Sequence, residues 1–430
     1  VSGVSRETTA VGNTAAPWLT VVGIGDDGAA SLTAPAIAII RAASMVIGGQ
    51  RSLDHLPADC PAQRVGWTTL DQTLDTILAR RGQPTVVLAT GDPMWFGLGS
   101  TLSQALQQAG HDPQREMAVL PTPGAFSLAA ARLCWPLQDC LCLTAHGRPV
   151  AALRLHFAPG QRLLVLSHDG QTAAQVAAEL CDCGYGPSQI TALWHLGGIN
   201  EGRFSARADH FSANPGSEDQ TIPALNTLAI DCVLAEGARP LSRTPGLPDE
   251  AFEHDGQLTK REARALTLMA LAPWPGAHLW DIGAGSGSIA IEWMRAAPRT
   301  TALAVERDPL RLARVVRNAQ ALGVPTLRTM LADLPAGLLA LDDEQPPDVI
   351  FVGGGVSRPG LLDKLWSRLP AGGRLVTNAV TLEAEQVVLD FHRRHGGELR
   401  RLAVSRTQPV GRLTRWDTLA PLTQLCAEKP

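Results

Sequence analysis

Trp280-Asp-Ile-Gly-Ala-Gly-Ser-Gly-Ser-Ile-Ala290 decides the fold of the second half of the chain. A strand ends at Asp281, and Gly283, Gly285 and Gly287 turn the backbone into a helix over 288–296. Such a turn lets main chain approach a ligand closely and aims helix N–H groups at it. Glu306 closes the next strand, 23 residues after Gly283, where a carboxylate accepts hydrogen bonds from both ribose hydroxyls. The dinucleotide fingerprint G-x-G-x-x-G fails because its third glycine position is Ser288. Turn and acid together therefore favour S-adenosylmethionine over NAD. Gly353-Gly-Gly355 follows a strand over 348–352 and leaves open space for a bulky substrate. The Asn/Asp-Pro-Pro-aromatic signature of base-amino methylation is missing there.

Outward from this motif, apolar runs alternate with helical patterns. Helices are expected over 260–271, 309–322, 360–369 and 382–395, and strands over 277–281, 301–305, 348–352 and 374–378. Segments 399–405 and 410–417 read as a closing hairpin. Thr259-Lys-Arg-Glu262 reads as a capping box. It does not account for Lys260, a cation placed against the helix dipole in a chain where only three of 37 basic residues are Lys. Lys260, Thr259 and Arg264 form the candidate catalytic set.

Before residue 235 a separate series of strands and helices implies a largely parallel α/β sheet. Strands are expected over 18–25, 45–47, 85–89, 117–120, 140–144, 163–166, 189–193 and 225–233. Between the two series, 236–258 contains Glu236-Gly-Ala-Arg-Pro-Leu-Ser-Arg-Thr-Pro-Gly-Leu-Pro248, with no period, and reads as a linker. The expected organisation is one module over 17–235, the linker, and a second module over 259–430.

In the first series Val21-Val-Gly-Ile-Gly-Asp-Asp-Gly28 matches G-x-G-x-x-G, but Gly48-Gly-Gln50 lacks the ribose-binding acid. Gly91-Asp-Pro-Met-Trp-Phe-Gly97, Pro121-Thr-Pro-Gly-Ala-Phe-Ser127 and His146-Gly-Arg-Pro149 all fall at strand C-termini, where open α/β sheets bind ligands.

Composition narrows the classes. The 430 residues are 45% hydrophobic and 18% charged, which is globular. Residues 1–240 carry 14 Lys and Arg against 20 Asp and Glu, a net of −6; residues 241–430 carry 23 against 21, a net of +2. The overall −4 argues against bulk-charge nucleic-acid binding, and the second half suits an anionic substrate. Eight Cys form no Cys-x-x-Cys pair, so no metal is expected, and free thiols fit a cytoplasmic enzyme. No apolar run reaches the roughly 18 residues of a membrane span. Val1 to Ala16 reads as a loose tail.

With Leu32-Thr33 and Leu128-Ala-Ala-Ala-Arg132 added to the motifs above, residues 18–235 resemble the tetrapyrrole (uroporphyrinogen/precorrin-type) methyltransferases. Residues 245–417 resemble the class I methyltransferase of cobalamin synthesis. The motifs are Pro245-Gly-Leu-Pro-Asp-Glu-Ala-Phe252, Leu258-Thr-Lys-Arg-Glu-Ala-Arg264, Trp280 to Gly287, Ile291-Glu-Trp293, Ala304-Val-Glu306 and Asn378-Ala-Val-Thr-Leu-Glu383. The resemblance implies a tetrapyrrole methyltransferase fold of two α/β subdomains followed by a class I Rossmann-like domain.

It implies two S-adenosylmethionine sites, one per module. Gly23, Gly25, Gly91, Asp92 and Met94 belong to the first. Asp281, Gly283, Gly285, Gly287, Glu306, Asp333 and Gly353 belong to the second. It further implies methylation of a precorrin-6 macrocycle at carbons five and fifteen, with loss of the ring-C acetate as carbon dioxide, giving precorrin-8. The first module takes carbon five; the second takes carbon fifteen and the decarboxylation. A tetrapyrrole substrate, no nucleic acid, no membrane and a homo-oligomer complete the expectation. Trp194 stands where the family commonly has Glu, and Ala332 and Leu334 where it commonly has Gly and Ala. Two other readings are a nicotinamide oxidoreductase resting on the first fingerprint and a non-catalytic tetrapyrrole carrier.

Overall fold

The structure, a computed structural model, describes residues 17–57, 59–213 and 221–430. The tail read over 1–16 lies outside them. Two compact units emerge. One takes the chain up to Arg148 together with Ala158–Cys181 and Tyr185–Ala235; the other takes Pro149–Phe157, Asp182–Gly184 and Glu236–Pro430.

The first unit contains two sheets. β1 (Leu19–Ile24), β2 (Met45–Gly48), β3 (Gln63–Gly66), β4 (Thr85–Thr90) and β5 (Met117–Leu120) are all parallel, in the order β3-β2-β4-β1-β5. Their apolar runs alternate between faces as strand geometry requires. Val22, Ile24, Val46, Val86 and Leu88 pack on one side, and Leu19, Val21, Ile47, Val87 and Ala89 on the other. Both faces are therefore covered, as a parallel sheet demands.

The second sheet joins β6 (Cys140–Thr144), β7 (Arg162–Leu166), β8 (Gln189–Trp194), β9 (Gly202–Arg207) and β10 (Asn226–Asp231) in the order β6-β7-β10-β8-β9. Here the expectation of a largely parallel sheet is corrected. Only β6 and β7 are parallel; β10 inserts antiparallel between β7 and β8, and β9 folds back antiparallel on β8. The connection from β8 to β9 is too short for a parallel crossover.

The second unit is built on β11 (His278–Ile282), β12 (Thr301–Glu306), β13 (Arg328–Leu331), β14 (Val349–Val352), β15 (Arg374–Ala379) and β16 (Glu398–Leu402). They are followed by β17 (Ser405–Val410), β18 (Leu413–Thr418) and β19 (Leu422–Glu428). Seven strands run β13-β12-β11-β14-β15-β19-β16, with β19 antiparallel to both neighbours. The expected closing hairpin is also corrected: β17 pairs with β18, while β16 pairs with β19. Trp280, Ile282, Leu303, Ile350 and Val352 face one helical layer; Leu279, Ala302, Ala304, Val349 and Phe351 face the other. Within the stretch read as linker, Leu247, Phe252 and Leu258 are buried in this core. Among the described residues no helix is long and apolar enough to cross a membrane.

Candidate functional site

Each unit holds a cleft at the C-terminal ends of its parallel strands. In open α/β sheets this crevice, outside the strand C-termini, is where ligands bind.

In the second unit the crevice lies between the ends of β11 and β14. The loop after β11 has Gly283 at φ 71° and Gly285 at φ 59°, in the left-handed region. A Cβ on Gly283 would stand 2.8 Å from both the Cα and N of Gly354. The two glycine loops thus touch backbone to backbone, and the floor of the cleft is bare main chain. The cavity is about 690 Å³ and is lined by Thr259, Lys260, Asp281, Glu306, Asp333 and Gly353 among others.

Two carboxylates in this cleft are buried. Asp281 is fully enclosed; its Oδ2 accepts the Ala290 N–H at 3.0 Å and its Oδ1 has no partner. Burial pushes its carboxyl up to about 7, against the pull of the Ala290 N–H. Glu306 is pinned by the glycine loop after β11 and by its own loop. Its Oε2 accepts the Gly285 N–H at 2.8 Å, and its Oε1 accepts the N–H groups of Arg307 at 2.9 Å and Asp308 at 3.1 Å. An ionised carboxylate offers about four acceptor sites, so Glu306 keeps capacity for a ligand hydroxyl while its orientation is fixed. Asp333, at the rim, accepts from Arg358 Nη1 at 2.5 Å, and the same nitrogen reaches the Leu334 carbonyl. Arg358 had no role in the sequence reading; only the fold brings it beside Asp333.

Two expected members of this site lie elsewhere. Gly287 is the N-cap of the helix Ser288–Ala296 at φ 79°, and its missing Cβ avoids Val315 Cγ1 at 2.7 Å. It shapes the turn and does not line the cavity. Arg264 is 0% exposed. Its Nε donates to Glu292 Oε1 at 2.6 Å, its Nη1 to Asp249 Oδ1 at 3.2 Å and the Thr259 carbonyl at 2.5 Å, and its Nη2 to the Leu247 carbonyl. The guanidinium also lies over the Phe252 ring at 4.7 Å. Four of its five N–H donors are engaged and the side chain is fully buried, so Arg264 is a structural cation with no face for a substrate.

The capping box is corrected with it. The helix runs Arg261–Leu271 with Lys260 as N-cap and no side-chain cap. Glu262 instead receives Arg406, from Nη2 at 2.5 Å and Nε at 3.2 Å, and this pairing holds its carboxyl below the usual range. The outcome sets Thr259 and Lys260 on the cavity wall. Lys260 has no ion pair among the described residues.

In the first unit the cavity, about 920 Å³, is lined by the ends of β1, β4 and β5 and by residues of the second sheet, Thr144, Leu166, Leu193 and Thr227 among them. Gly25, Gly91 and Asp92 line it. Gly23 does not. A Cβ there would stand 2.2 Å from the Gly91 carbonyl oxygen and 2.7 Å from the Thr122 nitrogen, so Gly23 lets three strand ends converge behind the cleft. Met94 is also outside: its sulfur lies over Gly99, 2.8 Å from where a Cβ would be, and the side chain faces solvent. Its neighbours Trp95 and Phe96 face the cleft instead. Across the opening, Asp26 Oδ2 meets His195 Nδ1 at 3.1 Å, and Arg51 pairs with the same carboxylate. Trp194 lies against Gly202 on the neighbouring strand, filling the space a Cβ would take.

Residues 19–209 match the Tetrapyrrole (Corrin/Porphyrin) Methylases and residues 250–429 the Precorrin methyltransferase domain. A Sinorhizobium protein named precorrin-6Y C(5,15)-methyltransferase [decarboxylating] is 44% identical over 95% of both chains. A Mycobacterium tuberculosis protein of the same name is 40% identical over 95% of this chain and 99% of its own. Among solved structures, the C-terminal domain of precorrin-6Y C5,15-methyltransferase from Rhodobacter capsulatus is 42% identical, covers 44% of this chain and 100% of its own, and superposes with a TM-score of 0.41.

Proposed function

Since this chain belongs to the precorrin-6Y C(5,15)-methyltransferase (decarboxylating) family, we propose how its two units divide the work. The chain is a methyltransferase with decarboxylase activity that acts on a precorrin macrocycle in cobalamin biosynthesis. It uses S-adenosylmethionine, which when bound supplies an electrophilic methyl group. In our reading each unit holds one such cofactor. The first unit serves carbon five; the second serves carbon fifteen and the loss of carbon dioxide.

The observation that carries the two-site reading is the repeated construction. Each unit has its own cleft at the C-terminal ends of its parallel strands, with a glycine packed against the neighbouring strand's backbone behind or beneath it. In the second unit the unpartnered Asp281 oxygen and the anchored Glu306 suit a ligand with an ammonium group and a ribose. Gly353 keeps the adjoining wall open. Asp333 reaches the adenine end from the rim, with Arg358 holding it in place.

Lys260 is available to a carboxylate of the macrocycle, and Thr259 to its polar edge. Both act by positioning. Meso carbons of a reduced tetrapyrrole are already nucleophilic, so orientation is the main contribution asked of the protein. The macrocycle itself takes up the electron pair released when carbon dioxide leaves, and the pocket has only to hold the acetate in line. The eight cysteines form no disulfide among the described residues, which supports a reducing, cytoplasmic setting. Leu413 and Trp416, exposed on the hairpin of β17 and β18, support self-association.

Mass spectrometry of precorrin-6Y incubated with the chain and S-adenosylmethionine tests the division. Two methyl gains and one carbon dioxide loss are expected. A single methyl gain at completion would refute two working sites.

A further inference from the structure

The loop after β4 leaves two aromatic side chains in the open. Trp95 is 41% exposed and Phe96 44% exposed. They are not loose. Trp95 rests on buried Phe126 with ring centroids 5.3 Å apart, and Phe96 meets the same ring edge-on at 6.1 Å. The loop is tied by the Asp92 carboxylate, which accepts the Met94 N–H at 2.9 Å, and by the Gly99 N–H, which donates to the Pro93 carbonyl at 2.8 Å. Phe96 has φ 52°, a conformation that costs a bulky side chain strain and is found where function demands a particular direction. Packing alone gives no reason for it, because the ring is held half in solvent.

Arg148 lies over the Phe96 ring, its guanidinium carbon 5.5 Å from the centroid. No carboxylate pairs with it among the described residues. Trp95, Phe96, Phe126 and Arg148 line the same cleft as Gly25, Gly91 and Asp92. An aromatic shelf of two rings inclined to Phe126 by 51° and 69°, with a guanidinium over Phe96 that no carboxylate pairs among the described residues, matches a conjugated ring that carries carboxylates at its edge.

We propose that Trp95 and Phe96 form the stacking platform for the macrocycle in the first unit, and that Arg148 anchors one of its peripheral carboxylates. This rests on the reading of that cleft as the carbon-five site. The competing use of the shelf is to stack the adenine of the cofactor, and the test separates the two.

The full chain, with Trp95→Ala and Arg148→Met variants, is titrated with precorrin-6Y in the presence of S-adenosylhomocysteine, and separately with S-adenosylmethionine by calorimetry. The wild type is expected to bind two macrocycles. Each variant is expected to lose the affinity of one of them at least tenfold while keeping both cofactor sites. Turnover of each variant should then stall at one methyl gain, with carbon dioxide still lost. Variants that bind both macrocycles as the wild type does overturn the platform and leave the cleft reading standing. Loss of one cofactor site in the variants, with circular dichroism unchanged, assigns the shelf to adenine and also overturns it. A wild type that binds only one macrocycle overturns the cleft reading itself, and the platform with it.

Discussion

In the first unit the end of β1 meets the end of β4 glycine to glycine, Gly23 against the Gly91 carbonyl; in the second, the end of β11 meets the loop after β14 in the same way, Gly283 against Gly354. What surrounds that shared floor differs. All the buried charged side chains among the described residues belong to the second unit: Arg264, Asp281, Glu292, Arg295 and Glu306. The buried polar groups of the first unit are Thr, Ser and Asn. One cleft is organised by enclosed ions, whose interactions are strengthened by low dielectric. The other is organised by backbone and by half-exposed aromatic and cationic side chains. The same sheet geometry therefore supports two kinds of electrostatic environment, and perturbations should separate them.

The largest effect is expected at the enclosed ions. Arg264→Ala leaves Glu292 buried without its cation, at a cost of about 4 kcal/mol. Thermal unfolding followed by calorimetry should show the second unit melting earlier, with the first unit's transition unmoved. Lys260→Ala, by contrast, should leave both transitions in place and slow turnover about tenfold, the value of one charge-assisted hydrogen bond. Equal melting behaviour for the two variants would erase the distinction drawn here between a structural and a substrate-facing cation.

The glycine floors come next. Gly23→Ala puts a Cβ 2.2 Å from a carbonyl oxygen, and Gly283→Ala puts one 2.8 Å from backbone at φ 71°; each costs about 3 kcal/mol. Product masses should show one methyl gain lost in each case, and carbon dioxide loss suppressed only by Gly283→Ala. Loss of both methyl gains from either change would show that the two floors are not independent.

A smaller effect distinguishes the clefts by pH. Burial raises the Asp281 carboxyl to about 7, so near neutrality it is partly protonated. A cationic ligand favours the ionised form. Cofactor affinity in the second unit should therefore rise as pH increases toward about 7 and level off above it, by up to about tenfold per pH unit on the rising limb. The same shift means that the ligand-free second unit loses stability between the unfolded value near 4 and about 7, because only the unfolded chain ionises freely over that span. Asp281→Asn should flatten the affinity profile. A matching rise in the first unit's affinity would break the comparison, since the covered acid lining that cleft, Asp26, is already paired with Arg51. The smallest effect is expected for Met94→Leu, less than about twofold on methyl transfer at carbon five, because the side chain faces away from the cleft.

Much of this was legible from residue order. Asp281, Gly283, Gly285 and the acid Glu306 line one cavity, because strand, turn and helix are local features with strong punctuation. The edge strands β3, β9 and β13 escaped the reading. Gln63-Arg-Val-Gly66 and Arg328-Thr-Met-Leu331 carry Arg and little alternation, and they extend only because a neighbour offers hydrogen bonds. Arg264 was misread because its partners lie 28 and 15 residues away, and nothing in the local pattern marks a cation as enclosed. Met94 was misread for a related reason. Within Gly91 to Gly97 the direction of each side chain depends on the left-handed turn at Phe96, which sequence does not announce.

The placement of β19 bears on how the second unit is made. Leu422–Glu428 is the last strand in chain order, yet it sits inside the sheet, hydrogen-bonded to β15 on one side and β16 on the other. As the polypeptide leaves the ribosome, β11 to β15 can associate in turn, but β16 has no neighbour to join until β19 emerges. Until then the edge of β15 is open and able to recruit a strand from another nascent chain. The sheet closes by a late, long-range insertion, the kind of step that slows folding. The second unit is thus exposed to aggregation during synthesis for as long as those seven residues remain in the exit tunnel.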